Sequence, residues 1–100
     1  MTPVQERLDA TVRGRVQGVG FRYMVLEEAH RLGLAGWVAN EPDGSVRCVA
    51  EGPREGLQLL LDMLRAGPRG ARVDEVNVTW GAAAGTMTRF SVRSGGHAGD

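Results

Sequence analysis

The sequence predicts an α+β domain in the order β-α-β-β-α-β, with one further short strand at its end. Three observations carry this. Several segments alternate apolar and polar residues, the period of a strand with one buried face. Two others place apolar residues three and four apart, the period of a helix with one buried stripe. Glycine and proline punctuate the intervals between them. With 100 residues and 42% hydrophobic content, the chain suffices for one compact domain, residues 1–100, with one core.

Leu8, Ala10 and Val12 alternate with Asp9, Thr11 and Arg13, and the pattern continues to Val16 as the first strand. Phe21, Val25, Ala29 and Leu32 then share one helical stripe, with Arg22, Glu27, His30 and Arg31 off it and Gly33 as a left-handed stop. The stretch "LAGWVANEPDGSVRCVAEG" reads as strands Leu34–Asn40 and Ser45–Glu51, joined through Pro42, Asp43 and Gly44. Pro53 suits the first turn of a second helix, which carries Leu57, Leu60, Leu61 and Leu64 and ends at Gly67 and Pro68. Gly56 near its start costs roughly 1 kcal/mol relative to Ala. In "ARVDEVNVTWG", Val76, Val78 and Trp80 share one strand face. "RFSVR" gives a last short strand after the Ala/Gly-rich loop Gly81–Gly85, and the tail Ser94–Asp100 is expected to fray. This order is the ferredoxin-like split βαβ arrangement, an antiparallel sheet with two helices on one face.

Twelve acidic residues balance twelve basic ones, so no bulk field recruits nucleic acid or an anionic membrane, and any anion site must be local. All the basic residues are Arg and the chain has no Ile, the coding bias of a GC-rich, bacterial genome. Cys48 is the single cysteine and has no partner for an internal disulfide. The N-terminus lacks the basic-then-apolar run of a signal peptide, and no apolar run approaches the roughly 20 residues of a membrane span. The expectation is a soluble, cytoplasmic protein.

The stretch "GRVQGVGFR", Gly14 to Arg22, connects the first strand to the first helix and sets three glycines among apolar residues. The amides of Gly18 to Phe21 fall at a helix N-terminus, where donors lack intrahelical acceptors and anions are attracted. Glycines let such a loop curl its N–H groups toward one centre; they also serve simple turn geometry. The loop lacks the third glycine of a dinucleotide fingerprint, since Tyr23 stands there, and the chain has no Lys for a P-loop. Arg22 is the informative residue. A cation in the first turn opposes the helix dipole by roughly 0.3–1 kcal/mol, and departures from a local preference concentrate at functional sites. Its guanidinium beside the amides would form a fork for two phosphate oxygens; the alternative is a surface arginine stretched over an apolar neighbour.

"GRVQGVGFR" followed by "GWVANEPDGSVRCVAEG" resembles the acylphosphatase family in both of its signature stretches, the second complete at Gly36, Trp37, Val38, Asn40, Gly44, Val46 and Gly52. The general layout matches over about residues 7–93. The resemblance implies the βαββαβ fold and hydrolysis of an acyl phosphate to carboxylate and phosphate. It implies that Arg22 and the backbone amides of Gln17, Gly18, Val19, Gly20 and Phe21 hold the phosphate, and that Asn40 orients the attacking water. It further implies a monomeric, cytosolic protein that needs no metal or cofactor, with a phosphate or sulfate ion expected at the loop.

Elementary chemistry is compatible with that implication. Phosphoryl transfer to water runs through a loose transition state, so catalysis is mostly positioning and charge stabilisation. A carboxylate leaves readily without a general acid. Asn40 is no base, but its amide oxygen can hold a water; read from local pattern alone, it equally initiates the turn before Glu41 and Pro42.

Other candidates point elsewhere. "CVAEGPR" has the C-x5-R spacing of thiolate phosphatases, with Cys48 as nucleophile and Arg54 as phosphate ligand. Glu51 would intrude on that cradle, Pro53 removes one of its amides, and Cys48 alternates with Val46 and Ala50 as a core residue. His30 and His97 lack partners at ligand spacing and read as solvated. Trp37 and Trp80 read as core or sheet-face anchors; Arg13 and Arg15 read as solvated strand residues. A non-enzymatic ferredoxin-like module is a further option, but an RNA-reading sheet needs exposed aromatics and basic surroundings. A carbamoyl-phosphate-handling domain of a larger maturation protein is another, against which the length of the chain counts.

Overall fold

A computed structural model describes residues 4–93. Its elements are β1 (Gln5–Arg15), α1 (Phe21–Arg31), β2 (Ala35–Asn40), β3 (Val46–Pro53), α2 (Arg54–Ala66), β4 (Arg72–Ala82) and β5 (Phe90–Arg93). The strands form one sheet in the order β4-β1-β3-β2-β5. The expected alternation places Leu8, Ala10, Val12, Val46, Cys48, Ala50 and Val38 on one sheet face, where they pack with Phe21, Val25 and Ala29 of α1 and Leu57, Leu60, Leu61 and Leu64 of α2. Both helices therefore share that face, as the apolar stripes require.

The expectation of a wholly antiparallel sheet is corrected at its edge. β1 pairs antiparallel with β3 and β4, and β2 antiparallel with β3, but β5 runs parallel to β2, with Gly36 opposite Phe90 and Ala39 opposite Arg93. The cause is topological. β4 finishes at the end of the sheet where β2 begins, and it lies on the far edge. A chain crossing along that end can only rise beside β2 in the same direction. Glu51 fixes the crossing: its carboxylate accepts from the Ala84 amide at 2.9 Å and the Gly85 amide at 3.1 Å, and pairs with Arg7 at 3.4 Å. The Gly36 amide donates to the Arg89 carbonyl at 3.0 Å, just before β5 starts.

Pro53 also differs from expectation. It closes β3 opposite Gln5 and serves as the N-cap of α2, with φ −64° and ψ 143°. Proline's fixed φ suits a strand end as well as a first helical turn, and the extended ψ decides between them.

On the sheet face away from the helices, charged side chains pair across strands. Arg47 binds Asp9 through two hydrogen bonds at 3.1 and 2.7 Å. The guanidinium groups of Arg47 and Arg93 lie 5.4 and 4.4 Å from the centre of the Trp37 ring. Trp80 lies on the helix face at the core edge, and Arg54 stacks over it at 3.6 Å. Both tryptophans are thus anchors, as their strand positions imply. Arg13 and Arg15 are exposed on β1. His30 is exposed as expected, yet its Nε2 donates to the Phe90 carbonyl at 3.2 Å and ties the end of α1 to β5. The expectations for the tail Ser94–Asp100 and for His97 lie outside the described residues.

Candidate active site

The loop between β1 and α1 is wound by Gly18 and Gly20, whose φ angles of 75° and 79° lie in the left-handed region that favours glycine. Gly20 is the N-cap of α1. It offers no side chain to the first-turn amides, and no acidic residue stands in that turn. The positive end of the helix dipole is therefore not offset by a capping side chain or a first-turn acid. Val19 packs against the core and Phe21 is buried within it, which anchors the loop from below. Gly18 and Gly20 are exposed above.

Arg22, the second residue of α1, is half-buried and its Nη1 donates to the Arg93 carbonyl at 3.3 Å. Arg93 stands opposite Ala39 in the β2–β5 register, next to Asn40. Asn40 closes β2 opposite Val46 of β3 and is buried. The expected site residues thus meet at one corner of the fold: the glycine loop and Arg22 from the start of α1, Asn40 from the end of β2.

Sequence reasoning missed the part that joins them. The Gln17 side chain, valued there only for its backbone amide, donates through Nε2 to the carbonyls of Glu41 at 2.8 Å and Ser45 at 2.9 Å. These residues flank the Asn40–Val46 pair. The turn they belong to is itself tightly made. The Glu41 amide donates to the Ser45 carbonyl at 2.8 Å, and the Gly44 amide to the Glu41 carbonyl at 3.1 Å. Asp43 accepts from the Ser45 amide at 2.9 Å, the Ser45 hydroxyl at 2.6 Å and Arg13 at 3.0 Å. Those bonds, the Ser45 hydroxyl foremost, hold the Asp43 carboxyl well below the usual carboxylate range. The Pro-Asp-Gly-Ser run signalled a turn; nothing in it signalled what grips that turn from across the fold.

The thiolate alternative is excluded by placement. Cys48 lies in the core on the helix face, where burial pushes its thiol up to about 12, with Asp9 adding a smaller effect. A thiol in that state is no nucleophile near neutral pH. Arg54 stacks on Trp80 and pairs with Glu6 at 2.8 Å, and Glu51 holds the crossing loop. The C-x5-R residues share no cradle. Among the described residues, no three His, Cys, Asp or Glu side chains gather at metal-binding range, and no helix is long and apolar enough to cross a membrane.

The chain is thus a small two-layer α+β domain whose first helix starts on glycine without a side-chain cap and carries an arginine in its first turn. The comparisons narrow that class. The acylphosphatase family profile matches residues 8–92. The chain is 49% identical over 92 residues to an acylphosphatase of Salinibacter ruber, covering 92% of this chain and 97% of that protein. It is 56% identical over 79 residues to an acylphosphatase of Thermus thermophilus, covering 79% and 90%. The fold superposes on the crystal structure of acylphosphatase from Bacillus subtilis with a TM-score of 0.85 at 41% identity, over 88% of this chain and 98% of that one. The chain belongs to the acylphosphatase family and is an enzyme of the hydrolase class.

Proposed function

We propose that this enzyme hydrolyses acyl phosphates by in-line attack of water on a phosphoryl group held by Arg22 and the backbone amides of Gln17, Gly18, Val19, Gly20 and Phe21, with Asn40 orienting the water. The observation that carries the reading is the convergence of the uncapped α1 start and Arg22 on the end of β2 that carries Asn40. The arginine's position explains its cost: it opposes the helix dipole on its own, and the two act together on a dianion between them.

In the reaction the water oxygen bonds to phosphorus as the bond from phosphorus to the acyl oxygen breaks, and the carboxylate departs with the electron pair. The proton released by the water passes to the product phosphate or to solvent. Charge on the equatorial phosphoryl oxygens meets Arg22 and the amides, which are fixed by the fold before substrate arrives. Asn40, a neutral amide at a buried strand end, accepts a hydrogen bond from the water and sets its line of approach. The reading extends to a monomer acting in the cytoplasm without nucleic acid, membrane, metal or cofactor, and binding inorganic phosphate or sulfate at the loop. The zero formal net charge supports the exclusion of polyanionic partners.

The test is hydrolysis of benzoyl phosphate in excess chelator by the wild type and the Arg22→Ala, Asn40→Ala and Cys48→Ser variants, each checked for native circular dichroism. Arg22→Ala and Asn40→Ala are expected to lose roughly 10²–10³-fold in kcat/KM, while Cys48→Ser keeps its activity. An inactive wild type, or loss confined to Cys48→Ser, would overturn the reading.

A further inference from the structure

We propose that the Gln17 side chain is a positioning residue: by gripping the turn that follows β2, it sets Asn40 at its working distance from the phosphate cradle. The inference rests on the function proposed for Asn40. Gln17 lies in the cradle loop itself, while both of its acceptors belong to the other half of the site. Glu41 follows Asn40 directly, and Ser45 precedes Val46, the register partner of Asn40. One amide group therefore holds both ends of the connection that follows Asn40, one residue beyond the Asn40–Val46 pair.

The grip is stiff on the acceptor side. The Ser45 carbonyl takes a second hydrogen bond from the Glu41 amide, and Asp43 locks Ser45 from its other side while reaching Arg13 of β1. On the donor side, Gln17 sits directly before Gly18, where the loop's left-handed winding begins. The left-handed backbone of Gly18 and Gly20 and the buried Phe21 hold the loop on their own, so the grip of the carboxamide acts on the turn it reaches. A primary amide suits this task. It offers donors to two carbonyls and carries no charge that would compete with a phosphate for the amides nearby.

The experiment is a double-mutant cycle on benzoyl phosphate hydrolysis with Gln17→Met, which keeps length and removes the donors, and Asn40→Ala. Inorganic phosphate serves as a competitive inhibitor that reports on the cradle. In the wild-type background, Gln17→Met is expected to lower kcat roughly 10- to 100-fold, the scale of a small misplacement of a reacting group, and to change the phosphate inhibition constant less than about threefold. In the Asn40→Ala background it is expected to change kcat less than about twofold, because the group it positions is gone. Gln17→Asn, one methylene shorter and able to reach one carbonyl at most, is expected to fall between. Equal losses in both backgrounds, a weakening of phosphate inhibition in step with kcat, or a failure of both variants to fold would assign Gln17 to general structure and overturn the proposal. A full-activity Asn40→Ala single variant would instead sink the function proposed for Asn40, an outcome read separately from the Gln17 arms.

Discussion

Cys48 shows how burial sets the chemistry of one side chain. Its thiol keeps its proton up to about pH 12 in the folded state, because the thiolate has no solvation in the core. An unfolded thiol ionises near the ordinary value of roughly 8.5. The folded-state value is raised, so the unfolded chain releases the proton first; the contribution is fully present below the unfolded value and is lost as pH rises toward the folded one. Urea midpoints should therefore fall with pH above about 9 more steeply for the wild type than for Cys48→Ala. In native protein at about pH 8 a disulfide reagent should titrate no thiol, and one should appear in denaturant; a thiol that reacts at once in the native state would contradict its placement. The burial of Cys48 was legible from its alternation with Val46 and Ala50. Arg22 stood out for the opposite reason, since a cation in a first turn breaks a local rule. Gln17 was not, because a glutamine in a loop has no periodic position and its partners lie 24 and 28 residues away.

At the scale of elements, the segment between β4 and β5 decides how the sheet ends. The Glu51 carboxylate is buried on the face away from the helices and serves as acceptor for two amides of that segment. Hydrogen bonds to a charged group are worth about 1.5–3 kcal/mol, and amides left without their acceptor add a desolvation cost. Glu51→Ala should destabilise the fold by about 2–3 kcal/mol and speed hydrogen exchange at Ala84 and Gly85 well before the core of β1. Unchanged exchange at those amides would show that the loop is held by something else. The parallel course of β5 was hidden from sequence for a physical reason. A four-residue strand carries no sign of its direction, which here follows from where β4 ends and from the Glu51 tie. Sequence reasoning saw Glu51 as an intruder in an anion cradle; the strand alternation that buries Cys48 on one face puts Glu51 on the other. The helix stripes, Phe21, Val25 and Ala29 on α1 and the four buried leucines on α2, were far easier, because period and punctuation agree along each of them.

For the whole molecule, the proposed site lies at the margin of the core and borrows Phe21 from it. The core fills the space between both helices and the sheet, whereas the glycine loop, Arg22 and Asn40 meet at one corner where α1 starts and β2 ends. Substitutions at the half-buried Arg22 should therefore leave the fold intact while removing activity. The fold order could be read from hydrophobic period alone, while the proposed site rests on a broken local preference and two long motifs. With no net charge to concentrate anions elsewhere, phosphate binding should be confined to that corner. The most direct test is a titration of ¹⁵N-labelled protein with inorganic phosphate, followed amide by amide. Saturable shifts are expected, largest at Gln17, Gly18, Val19, Gly20 and Phe21 and at the Arg22 side chain, and absent in Arg22→Ala. Largest shifts at the start of α2, or around Trp37, Arg47 and Arg93 on the open sheet face, would contradict that expectation.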